Sequence, residues 1–294
     1  MSVYRVRHAT RYAYEAPVIH AHHFCHLRPR QFDWQGVAKH ELEIEPAASM
    51  MRRSADYFGN QVHLLELLTD HDELQVTSSS VVEVAPRPEP PSMGGIAWDE
   101  TSQRLHSAGA LISALEYCFD SPLVRAHPLL ASYAQPVFSP GRPLVAAVIE
   151  FCRKIFDEFK YDTTVTDVTT PLAQVLRERR GVCQDFAHLA VGCLRSLGLA
   201  ARYVSGYLET KPPPGKPRLV GADASHAWAS VYVPGFGWLD FDPTNGTLAG
   251  TGHVTVAWGR DFSDVSPLKG VVLGGGAHRV AVSVDVEAVE GPEP

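Results

Sequence analysis

No stretch of this 294-residue chain is apolar for long enough to cross a bilayer as a helix, so a membrane-spanning role is not expected. It has no basic excess either: 26 lysines and arginines against 33 aspartates and glutamates leave a net charge of −7. That balance provides no positive surface for general binding to nucleic acid or anionic lipid, and neither partner is expected. Met1 to His8 alternates like a strand, without the continuous apolar core of a signal peptide. The cysteines number five, an odd count that does not suit a disulfide framework. Together these features lead us to expect reduced thiols and a cytoplasmic location. There is no internal repeat and no EF-hand-like run, so neither a solenoid nor a calcium site is expected.

What is present is enough chain for two domains. Early on, Leu42 and Ile44 alternate with Glu41, Glu43 and Glu45, and Phe58-Gly59-Asn60-Gln61 reads as a hairpin turn before Val62 and Leu64. Residues 1–86 are therefore expected to form an antiparallel β-domain. Residues 87–100 are expected to form a proline-rich linker, and residues 101–294 a second, larger domain. In that domain, helices are predicted near Ala110–Phe119, Pro143–Phe159 and Pro171–Glu178, with Thr170 as a cap. Strands follow, with Lys211–Pro217 as an exposed loop between them and His278–Val289 as a closing strand. The expected class is α+β, with helices packed on an antiparallel sheet.

Arg179-Arg180-Gly181-Val182-Cys183 places a cysteine where a turn becomes a helix. Phe186, Ala187, Ala190, Leu194 and Leu197 follow at helical spacing, and Gly198 is the stop. Unpaired amides, the positive dipole end and two arginines all favour a thiolate there. Cys118, Cys152 and Cys193 instead fall on apolar helix faces and read as core. Only Cys183 has the setting of a nucleophile.

A cysteine nucleophile needs a base and a group to orient it. Ser225 to Val233 reads as a strand opening with His226, and Gly237 to Thr244 as its hairpin partner across Pro234-Gly235-Phe236-Gly237. Antiparallel pairing brings His226 close to Asp242, which is expected to take the Nδ1 proton and leave Nε2 facing the thiol. His188 sits about 140° round the helix from Cys183 and points away. His253 lies in a glycine-rich loop with no evident carboxylate. Asp240 shares a strand face with Asp242, so periodicity does not choose between them. Asp242, before Pro243 at the strand end, is the better candidate.

These motifs, Gly181-Val182-Cys183, Leu197 to Tyr207, His226-Ala227-Trp228 and Gly237 to Thr244, together resemble the core of the transglutaminase-like superfamily. Tyr4 to Pro86 is similar to the β-rich N-terminal region of its bacterial members, and Trp258 to Pro267 to the segment after their core. The resemblance implies a papain-like core in which Cys183 is the nucleophile, His226 the base and Asp242 the orienting carboxylate. It implies thiol-dependent acyl transfer on a peptide or protein amide without a cofactor, more readily hydrolysis than cross-linking. The calcium dependence of animal transglutaminases is not carried over.

Two other readings have sequence support. The fold could serve as a non-catalytic peptide-binding module. Alternatively, His20, His22 and His26 share a strand face and could hold a metal for a metal-dependent hydrolase. With no carboxylate partner evident for those histidines, no metal site is expected.

Overall fold

The computed structural model describes residues 1–91, 95–107, 112–209 and 225–289. The predicted loop Lys211–Pro217 and part of the linker and of the first predicted helix lie outside these residues. Two antiparallel sheets dominate, and both bear on the position of Cys183.

The first sheet is organised by one long strand, β1 (Ser2–Cys25). β2 (Gln35–Glu45), β3 (Met50–Ala55), β4 (Gln61–Leu67) and β5 (His71–Val84) surround it in the order β2-β5-β1-β4-β3. The Phe58–Gln61 turn is where it is expected, and Gly59 adopts φ 73°, a left-handed conformation that glycine takes without strain. Val18, Ala21, Leu65, Leu67, Leu74 and Val76 bury one end of the sheet.

The second part comprises α1 (Trp98–Leu105), α2 (Ile112–Leu115) with a 3₁₀ turn at Glu116–Cys118, α3 (Pro128–Ala134) and α4 (Leu144–Glu158). It continues with β6 (Lys160–Tyr161), α5 (Leu172–Glu178), β7 (Arg180–Gly181) and α6 (Cys183–Ser196). Thr170 does not cap α5. Its Oγ1 accepts from the Asp167 amide in the preceding loop, and Pro171 occupies the cap position. Then come β8 (Ala201–Leu208), β9 (Ser225–Val233), β10 (Gly237–Asp242), β11 (Thr247–Leu248), β12 (His253–Gly259) and α7 (Phe262–Val265). The sheet order is β11-β10-β9-β8-β12.

Helix α6 is the axis of this part. Phe186, Leu189, Ala190, Cys193 and Leu194 pack with Phe151, Cys152 and Ile155 of α4 and with Val231, Leu239 and Phe241 of the sheet. Cys152 and Cys193 are core residues, and burial pushes the Cys152 thiol up to about 12. On its other side α6 contributes Ala187 to a second cluster with Tyr4, Val6, Val82 and Val84 of the first sheet and Tyr203, Ala227 and Val254 of the second. The two sheets thus share a core directly beneath the start of α6.

The chain returns to the first sheet at its end. β13 (Leu268–Gly274) and β14 (His278–Val289) pair with successive halves of β1, from Cys25↔Leu268 to Val3↔Val289. The last two strands of the 101–294 segment thus join the first sheet, a pairing between distant segments that leaves no local signal.

Side-chain amides complete the junction. Gln35 donates to the Thr255 carbonyl and accepts from the Thr255 amide, both at 2.8 Å. Asn60 donates to the Trp258 carbonyl at 2.8 Å and accepts from its amide at 3.0 Å. These contacts satisfy the free edge of β12 as a neighbouring strand would, and so protect an edge otherwise open to pairing.

Candidate active site

The site begins with the turn into α6. Asp185 Oδ2 accepts from the Val182 amide at 2.8 Å and from the Thr166 hydroxyl at 2.7 Å. It thereby satisfies one of the donors that a helix start leaves open. Gly181 makes room for this: a Cβ there would lie 2.6 Å from Asp185 Oδ2. Cys183 is then the first residue of the helix and half-buried. Its thiol borders the shared core of the two sheets. The Gly-Val-Cys-Gln-Asp run is therefore a device for fixing one sulfur, with Asp185 as the member not assigned from sequence.

The hairpin β9–β10 delivers the partners. Gly237↔Val233 through Phe241↔Ala229 sets the register, so the end of β10 lies beside the start of β9. His226 is itself opposite Gly206 of β8. A Cβ at Gly206 would meet the Val254 carbonyl at 2.1 Å and Trp228 at 2.6 Å, so only glycine fits there. The His226 imidazole donates from Nε2 to Asp242 Oδ2 at 2.7 Å, and the ring is close enough to Cys183 to feel its charge. The structure thus brings the three sequence-selected residues together.

The ring is turned the other way from expectation. Nε2 faces the carboxylate, which leaves Nδ1 for the thiol. The Asp242 side chain that receives Nε2 is fully buried.

Asp242 is held by more than His226. Its Oδ1 accepts from the amides of Thr244 at 2.9 Å and Asn245 at 3.3 Å, and Oδ2 accepts from Asn245 Nδ2 at 2.7 Å. His253 adds Nε2 at 3.1 Å. The Gly250 amide donates to His253 Nδ1 at 3.1 Å, so Nε2 must carry that ring's proton. His253 therefore opens β12 with a carboxylate partner that sequence reading did not find. The eleven-residue separation crosses β11 and a turn, and no periodicity links the two.

Electrostatics follow from this packing. Burial disfavours the His226 imidazolium, but the hydrogen bond to Asp242 and the influence of Asp242 and Cys183 outweigh it and raise His226 to about 10. Burial likewise disfavours the Asp242 carboxylate, yet His226 and His253 hold it well below the usual carboxylate range.

The rivals are engaged elsewhere. Asp240 accepts from Arg87 Nη1 at 2.6 Å and from Trp228 Nε1 at 3.2 Å, tying the linker to the sheet. His188 Nε2 accepts from the Phe262 amide at 3.0 Å, and burial pushes the ring down to about 4. The N-terminal histidines divide: His26 Nε2 lies 3.0 Å from Asp56, while His20 and His22 converge on Glu66. A carboxylate that had not been evident is thus present across the sheet.

The chain is similar to known proteins over most of its length. Residues 4–83 match the bacterial transglutaminase-like N-terminal region, and residues 131–243 the transglutaminase-like superfamily. The chain is 40% identical to an uncharacterized protein of Mycobacterium tuberculosis, over 98% of this chain and 93% of the relative. It is 39% identical to a protein-glutamine gamma-glutamyltransferase of Pseudomonas aeruginosa over 67 residues, 22% of this chain and 10% of that protein. A crystal structure from Cytophaga hutchinsonii, provisionally described as a cysteine protease, superposes with TM-score 0.76 at 18% identity, covering 100% of this chain and 92% of that one.

Proposed function

The chain belongs to the transglutaminase-like superfamily, and on that premise we propose that it catalyses thiol-dependent acyl transfer on peptide or glutamine-type amides through Cys183, His226 and Asp242. The observation that carries the reading is the 2.7 Å contact from Asp242 Oδ2 to His226 Nε2, with the ring coupled electrostatically to Cys183 at the head of α6.

The chemistry follows from that arrangement. His226 takes the proton of Cys183, and Asp242 stabilises the imidazolium that results. The sulfur attacks the amide carbon, and the Cys183 amide at the helix start donates to the developing oxyanion. His226 returns the proton to the leaving amine, the C–N bond breaks, and a thioester remains on Cys183. Water or a second amine then attacks the thioester, with His226 taking the incoming proton, and the thiol is regenerated.

Hydrolysis is the outcome we favour. Water reaches a half-buried sulfur without a dedicated site, whereas an amine acceptor needs one. The fold likeness to the Cytophaga protein supports the architecture only, and the short match to the Pseudomonas transferase leaves transamidation as the second reading.

The test is a screen of peptide and glutamine amides for ammonia or amine release, with and without a primary amine, on wild type and Cys183→Ala. Release that needs Cys183 and is indifferent to added amine supports hydrolysis. Incorporation of the amine into product supports transamidation, and release by Cys183→Ala at the wild-type rate removes the proposal.

A further inference from the structure

Among the described residues, two groups bring three metal-binding side chains within 4.8 Å of one another, and only one of them belongs to the site above. The group at His226, Asp242 and His253 is occupied by its own hydrogen bonds. The other, His20, His22 and Glu66, lies on the first sheet and has no part in the proposed reaction.

Its geometry follows from strand pairing. His20 and His22 are two apart on β1 and so project from the same face. Glu66 is directly opposite His22 in the β1–β4 register and joins them on that face. His20 Nε2 lies 3.2 Å from Glu66 Oε1, and His22 Nε2 lies 3.7 Å from the same oxygen. The first distance is a hydrogen bond, but the second is too long for one. The two rings are 4.6 Å apart, tilted by 43°. A tetrahedral zinc ion with nitrogen and oxygen ligands at their usual lengths sets neighbouring donors about 3.3 Å apart. The two contacts straddle that spacing.

The surroundings add a second observation. Val271 is opposite His22, Leu273 opposite His20, and Met50 opposite Glu66, so all three share the face. They are 77%, 63% and 51% exposed. Three ligand-grade groups thus sit in an apolar frame on the outside of the sheet, where an ion can enter.

We propose that His20, His22 and Glu66 bind one divalent transition-metal ion, with zinc the best fit. Two imidazoles and a carboxylate suit zinc, cobalt, nickel and copper, and do not suit calcium or magnesium, which take oxygen donors. Three protein ligands leave a coordination position open. His26, paired with Asp56, takes no part.

The experiment is calorimetric titration of zinc chloride into the whole Cys183→Ala chain, which removes a competing half-buried thiol, followed by His20→Ala/His22→Ala and Glu66→Gln in the same background. Far-ultraviolet circular dichroism on each variant checks that these surface changes leave the fold intact. The expected result is one equivalent of zinc, lost in the double histidine variant and weakened at least tenfold by Glu66→Gln. Cobalt(II) should give a visible absorption that disappears with the same substitutions. Failure of the Cys183→Ala chain to bind zinc, or stoichiometric binding that survives loss of both histidines, would overturn the proposal. Neither result bears on Cys183 chemistry, which is read by amide cleavage.

Discussion

His253 donates its Nε2 proton to Asp242 at 3.1 Å, on the same carboxylate oxygen that takes His226 at 2.7 Å. The carboxylate is clamped from two sides, and the clamp fixes the direction in which it presents charge to the base. Hydrogen bonds to a charged group contribute about 1.5–3 kcal/mol. If that positioning is felt in the transition state, His253→Phe should lower kcat by roughly 10- to 100-fold. His253→Gln, which can still donate, should recover part of it. A KM left near the wild-type value would separate positioning from a loss of substrate binding.

Asp242→Asn should have the larger effect. The shape is kept, but the charge that stabilises the imidazolium is lost, and kcat should fall by about 10⁴-fold, as in other triads. The pH profile should change as well. His226 is raised to about 10, so the imidazolium persists to that pH and the alkaline limb of kcat/KM should lie there. In Asp242→Asn it should move down toward the ordinary imidazole range near 6.5. His253→Phe should not lower it, because the full charge on Asp242 remains. An unmoved limb in Asp242→Asn would show that another group sets it.

The same shifts predict stability. A raised His226 stabilises the fold below the unfolded imidazole value, and that contribution is lost as pH rises through about 10. A depressed Asp242 stabilises it above the unfolded carboxylate value, and its contribution is lost as pH falls through the lower folded one. Urea unfolding should therefore show the wild-type advantage over Asp242→Asn to be greatest between these limits and to shrink toward both. A difference that is constant with pH would contradict the coupling.

Asp240→Asn should separate structure from chemistry. The carboxylate is buried against Arg87, Trp228 and Arg202, so its loss leaves guanidinium charge without a counterion. Breaking such a pair costs about 3–5 kcal/mol. The urea midpoint should drop, while the alkaline limb of the folded enzyme stays in place. A limb displaced as far as in Asp242→Asn would give Asp240 a share in setting His226.

Which residues meet was legible in the sequence, because each sits at a local landmark. Cys183 opens a helix, His226 opens a strand, and Asp242 closes that strand's hairpin partner before Pro243. What was not legible depends on distant packing. The ring orientation of His226 is a matter of side-chain packing, and the role of His253 depends on β12 being brought alongside β8. Glu66 meets His22 only through the register of β4 against β1. β13 and β14 return to the first sheet across more than two hundred residues, a pairing with no local signal.

The central claim is that Cys183 carries the acyl group, and mass spectrometry of acid-quenched enzyme during turnover of an activated acyl substrate tests it most directly. The intact chain should gain the mass of one acyl group, mapped to Cys183 and removed by hydroxylamine. Cys183→Ala should remain folded, gain nothing and turn nothing over. The other cysteines should stay unmodified, since Cys25, Cys118, Cys152 and Cys193 are all buried. Turnover with no adduct on Cys183, together with a Cys183→Ala variant as active as wild type, would contradict it.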